Sequence, residues 1–120
     1  MANNTVFQTG DVLVTGAGAP VWGYHSELER TMIIGPASDE QKRFFDHMVR
    51  LQGTALDAMK PGVRCADVDR AVRAYYEEHD LMPYWKHHTG HAIGLRYHEA
   101  PFLDLGDTTT LQPGMVFTVE

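Results

Sequence analysis

Between Ser38 and Gly62 the chain has little freedom in what it can become. Phe44, Met48, Leu51, Ala55 and Met59 recur every three or four residues, the spacing that puts apolar side chains on one face of an α-helix. Ser38 is a good N-cap, and Gln41 stands where the partner of a capping box belongs. Pro61-Gly62 ends the helix. A one-faced helix must rest on something, and the flanking sequence supplies candidates. A second helix is expected from about Ala66 to about His79, with Val68, Ala71, Val72 and Tyr75 on one face. Upstream, Val12-Leu13-Val14-Thr15 and Ser26 to Ile34 read as two strands of a hairpin across a glycine-rich loop. Asp80 to Trp85 is irregular around Pro83, and Met115 to Glu120 reads as a last strand after the Pro113-Gly114 turn. Local strand pairs with helices between them predict an α+β fold, not a doubly wound parallel sheet.

The 120 residues suit one domain with a modest core. A net charge of −6 and the lack of any Lys/Arg cluster argue against nucleic acid or anionic membrane as partners. No apolar run approaches the ~18 residues of a membrane helix, and Met1 to Thr9 has no signal-peptide pattern. Cys65 is the single cysteine, so no disulfide can form within the chain and no thiolate metal site can be built. These features lead to an expected cytoplasmic location. Because the chain stops at Glu120 while still reading as strand, it is expected to be part of a longer protein.

Chemistry concentrates late in the chain. Of seven histidines, His87, His88, His91 and His98 fall between Lys86 and Glu99, interleaved with Gly90 and Gly94. Imidazoles titrate near neutrality and bind metals, and glycines let backbone come close. His87 and His91 are four apart, but the glycines make a helix there a poor expectation. There is no HExxH, CxxC, GxSxG or phosphate loop. Gly16-Ala17-Gly18 lacks the third glycine and following helix of a dinucleotide site. Glu27 and Glu29, two apart in a strand, share a face. Glu120 ends an apolar stretch, where a carboxylate is expensive to bury unless paired or metal-bound. The plainer readings are a solvated strand face for the pair and an exposed chain end for Glu120.

At these residues the sequence resembles the pita-bread superfamily of aminopeptidase P, prolidase, methionine aminopeptidase and creatinase. Gly23-Tyr24-His25-Ser26-Glu27-Leu28-Glu29-Arg30-Thr31 resembles the family's GYxSDxTRT strand. His87 to Leu95, followed by His98-Glu99-Ala100-Pro101, resembles HHxGHGIGLxxHExP, and Leu111 to Glu120 resembles LxPGMVFTVEPG. Lys60-Pro61-Gly62 through Asp69 is similar to xPGxxxxEVD. The resemblance implies a curved antiparallel sheet with helices on its outer face. Residues 1–120 are then part of one catalytic domain, incomplete at the C-terminus and at the N-terminus.

Peptidases of this family bind two metal ions through two Asp, one His and two Glu. The resemblance sets the first Asp on Gly16, the second on Glu27, the His on His91 and the first Glu on Glu120, with the last Glu beyond the chain. The implied metal set is Glu27, His91 and Glu120; the implied catalytic set is His98, His87 and Glu120; His98 and Glu29 are assigned to substrate. A divalent metal (Mn, Zn or Co) is the implied cofactor, or none where Gly16 has removed a ligand. Glycine there is expected to limit the protein to one tightly held metal or none, unless Glu29 compensates.

Three functions fit: a metal-dependent Xaa-Pro aminopeptidase or dipeptidase acting on short peptides, a metal-free creatinase-like C–N hydrolase, and a non-catalytic pita-bread binding module. The full-length protein is expected to be a homodimer. The isolated 120-residue chain is expected to be inactive, so metal-dependent cleavage of an Xaa-Pro peptide by this chain alone would contradict the reading.

Overall fold

A computed structural model describes residues 4–120. The first hairpin forms as the sequence implies. Strand β1 (Val12–Ala17) pairs antiparallel with β4 (Leu28–Ile33), placing Val14 opposite Thr31 and Gly16 opposite Glu29. The strand therefore runs on through Gly16. The connection is itself a small hairpin, β2 (Pro20–Val21) and β3 (Tyr24–His25).

Helix α1 (Asp39–Ala58) starts at the expected capping box: Gln41 N–H donates to Ser38 Oγ (3.1 Å), and Ser38 N–H donates to Gln41 Oε1 (2.9 Å). Such a cap stabilises by about 1 kcal/mol. The Gln41 amide also donates to the Gly10 carbonyl (2.8 Å), fixing the helix start to the entry of β1. Helix α2 (Cys65–Glu78) packs on α1 and on β6 (Glu99–Leu103). The core lies where these meet: Leu51 and Ala55 from α1, Val68, Val72 and Tyr76 from α2, and Leu103 from β6. Burial, with a smaller contribution from Asp107, pushes the Cys65 thiol pKa up, so this cysteine is a core residue and not a nucleophile. No helix among the described residues is long and apolar enough to cross a membrane.

On α2, Tyr75 packs half-buried against the core as expected and also bonds His47 across to α1 (3.0 Å), while the neighbouring Tyr76 is buried. Two expectations are corrected. Asp80 to Trp85 contains one 3₁₀ turn, Met82–Tyr84. Met115 to Glu120 is extended but forms no regular strand; its one ladder pairing is the isolated bridge Ala92–Phe117. It lies along β5 (Gly90–Ala92), a strand not foreseen from the sequence, which pairs with β6. The β5–β6 register shifts between His91 and Ala92, and on the other side of β5 no ladder builds up beyond the single bridge. Separate bonds do the work instead: Thr118 N–H to the His91 carbonyl (2.8 Å), Ile93 N–H to Val116 (3.2 Å) and Glu120 N–H to Thr89 (3.0 Å).

One polar group sits inside this packing. Asp69 on α2 is fully buried. It accepts from Arg73 Nε (2.7 Å) on one oxygen and from the Thr89 hydroxyl (2.7 Å) on the other. Arg73 in turn lies 4.2 Å over the Trp85 ring. Asp69→Ala leaves both donors unmatched. It is expected to cost about 3 kcal/mol, the low end for a broken buried pair because Arg73 keeps some solvent, measurable as a lowered denaturant midpoint.

Candidate metal centre

Glu27 reaches the histidine segment because the hairpin loop is fastened to it. His25 N–H donates to the Gly94 carbonyl (2.7 Å), and the His25 ring lies against Tyr97 with centroids 4.2 Å apart. Tyr97 fits there only because residue 18 is glycine: a Cβ on Gly18 would fall 2.7 Å from the Tyr97 hydroxyl and 2.7 Å from the Ser26 carbonyl. The two residues after His25 then bring Glu27 beside His91.

His91 comes from the middle of β5 and is fully buried. Its Nε2 lies 2.9 Å from Glu120 Oε1 and 3.4 Å from Glu27 Oε2, yet neither approach has hydrogen-bond geometry. Its Nδ1 lies 3.0 Å from the Ala92 carbonyl. A carbonyl only accepts, so Nδ1 carries a proton, and a ring unprotonated at Nε2 directs a lone pair at the two carboxylates. Lone pair facing lone pairs is repulsive unless something positive stands between them. This arrangement fits a metal ligand held in one tautomer by its own backbone.

His98 joins the same group. Ligand atoms of Glu27, His91 and His98 lie within 4.8 Å of one another, and the His91 and His98 rings are 4.1 Å apart. Glu120 lies outside that trio but against His91, and it accepts from the Thr118 hydroxyl (3.1 Å). Glu29 is exposed on β4, next to Gly16 on the facing strand. His87 is not brought in: it is exposed, its Nδ1 faces the His88 carbonyl (2.9 Å), and its ring meets His88, which in turn meets His91. The site is an open face. Two surface hollows lie elsewhere, one beside His47 and His79, the other beside Pro61 and Met115.

Sequence reasoning missed three supports. Thr118 shares a face with Glu120 in extended backbone and buttresses it, a relation that alternation alone could have suggested. Thr89 and Asp69 position β5 from behind, and only the burial of Asp69 reveals this.

The chain belongs to metallopeptidase family M24, whose model matches residues 1–120. It is 32% identical over 120 residues to an Xaa-Pro dipeptidase of Pyrococcus horikoshii, covering 100% of this chain and 34% of that protein. It is 38% identical over 112 residues to a probable dipeptidase, PepE, of Mycobacterium tuberculosis, covering 92% of this chain and 30% of that one. The solved prolidase from Pyrococcus furiosus superposes with a TM-score of 0.93 at 31% identity, over 98% of this chain and 35% of that one. The fold is thus a partial pita-bread fold, and the chain spans about a third of the length of the curated relatives it matches.

Gly90 carries a test of how the site is held. A Cβ there would overlap the Thr118 carbonyl oxygen. Gly90→Ala is expected to push the 115–120 segment outward, separate Glu120 from His91 and cost about 1–3 kcal/mol. Unfolding measurements and histidine chemical shifts would register both effects.

Proposed function

We propose that the intact protein is a metal-dependent hydrolase of short peptides, with Xaa-Pro dipeptides as the substrate class. The observation that carries this is His91 Nε2, buried and without a hydrogen-bond partner between Glu27 and Glu120. Membership of a metallopeptidase family supports it, as do relatives named Xaa-Pro dipeptidase. Glu27, His91 and Glu120 would hold the cation, with His98 within reach of the same space. A divalent cation supplies electrophilic help to a peptide carbonyl and lowers the pKa of water.

The chain's own residues supply the rest. The Ala92 carbonyl holds the His91 ring in orientation. Thr118 holds the Glu120 carboxylate, which is placed to take a proton from water approaching the site. His98, exposed on the solvent side of His91, is suited to contact the substrate and to carry a proton to the leaving amine.

Gly16, which contributes no ligand, favours a second reading, a metal-free C–N hydrolase in which His91 or a neighbour is the general acid and base. Chelation separates the two. Cleavage of an Xaa-Pro dipeptide by the intact protein is expected to disappear on chelation and return with Mn²⁺, Co²⁺ or Zn²⁺. His91→Ala is expected to lower kcat/KM by at least about 100-fold, since even residues behind a metal ligand cost 10–100-fold. Turnover that survives chelation would favour the metal-free reading instead.

A further inference from the structure

Glycine at position 16 leaves a gap on the face that carries Glu27, and a side chain from the other strand occupies it. Gly16 and Glu29 are direct partners across the β1–β4 pair, so their Cα substituents leave the same face. The Glu29 side chain folds over the glycine: a Cβ built on Gly16 would lie 3.3 Å from Glu29 Oε1 and 3.6 Å from its Cγ. A carboxylate therefore stands where an acidic side chain at position 16 would place its own. Glu27, two residues earlier, points to the same side.

Electrostatics gives the arrangement its meaning. Among the described residues, neither Glu27 nor Glu29 has a lysine or arginine partner. Carboxylates gathered on one face without a basic neighbour repel one another, and hard divalent cations are what relieve such a set. The independent sign that a cation belongs here is His91 Nε2, buried, unpartnered and aimed at Glu27. Ligand atoms of His91 and His98 lie within 4.8 Å of Glu27, and Glu29 lies outside that group, over Gly16. Glu29 therefore brings a further carboxylate, over Gly16, to the strand pair that leads into Glu27.

We infer that Glu29 is a ligand for a second divalent cation, seated over Gly16 and sharing Glu27 with the first, so that the carboxylate missing from one strand is supplied by its partner strand. This rests on the metal-dependent reading above. It replaces the expectation, drawn from Gly16 alone, of one cation at most. Glu29 then serves the metal and not the substrate.

Manganese(II) titration of the intact protein, followed by calorimetry and electron paramagnetic resonance, tests it. The unaltered protein is expected to bind two Mn²⁺ per chain and to show the spectrum of a spin-coupled pair. Glu29→Gln, which keeps shape and removes charge, is expected to bind one, with the six-line spectrum of an isolated ion and a metal-free unfolding midpoint no lower than that of the unaltered protein. The double variant Gly16→Asp with Glu29→Ala, which moves the carboxylate back across the pair, is expected to regain the second ion and the coupled spectrum. Two ions in Glu29→Gln, a single ion in the unaltered protein, or loss in Glu29→Gln without recovery in the double variant would each overturn the role of Glu29 and leave the metal-dependent reading standing. No binding by the unaltered protein would overturn both.

Discussion

The buried carboxylate of Asp69 governs how the helices and the histidine strand meet. A fully buried charge is tolerable only with its acceptor sites filled. Here the two donors come from different places: Arg73 from the next turn of α2, and Thr89 from the segment two residues before His91. The carboxylate thus fixes the distance between α2 and the start of β5. Thr89 also donates its N–H to Leu103 and accepts from Glu120 N–H, so one residue ties the helix layer, the β5–β6 pair and the final segment together. Placement of His91 and Glu120 follows from that knot more than from sheet pairing, which is short and interrupted there.

Glycine and aromatic residues handle the second half of the assembly. The hairpin has no helix behind Glu27 to position it. Instead, the missing side chain at Gly18 admits Tyr97, Tyr97 carries His25, and the His25 amide closes on Gly94. The histidine segment and the hairpin are far apart in sequence, and these small contacts bring their functional groups within ion-pair distance.

Much of this was legible in the sequence, where local signals agree with the global fold. Capping residues, apolar spacing and the Pro-Gly stop marked α1 closely, and β-branched runs marked β1 and β4. The residues that gather around His91 were named through family resemblance, since nothing in the spacing of Glu27, His91 and Glu120 announces proximity. What escaped has physical causes. β5 is three residues long, contains a glycine and shifts register against β6, so it has no alternation to read. β6 carries Pro101 inside it, which demotes a strand on propensity. The 115–120 segment looks like a strand because its composition is one, but strand status depends on a partner in register, and a local reading cannot see that. Tyr76 is buried beside Tyr75, whose hydroxyl reaches sideways to His47, and the apolar spacing picked out only Tyr75.

The tautomer of His91 has a consequence for how comfort and purpose are divided in this chain. With Nδ1 committed to the Ala92 carbonyl, folding brings Nε2 up against two carboxylates, a juxtaposition that a bound cation or a proton on Nε2 would reconcile. Under the metal-dependent reading, packing gives up stability at this spot that cation binding would return by mass action. Stability and affinity are then opposed at this spot. Any substitution that relaxes this crowding, such as an amide for a carboxylate, would flatten the very discontent that makes the spot a place for a cation.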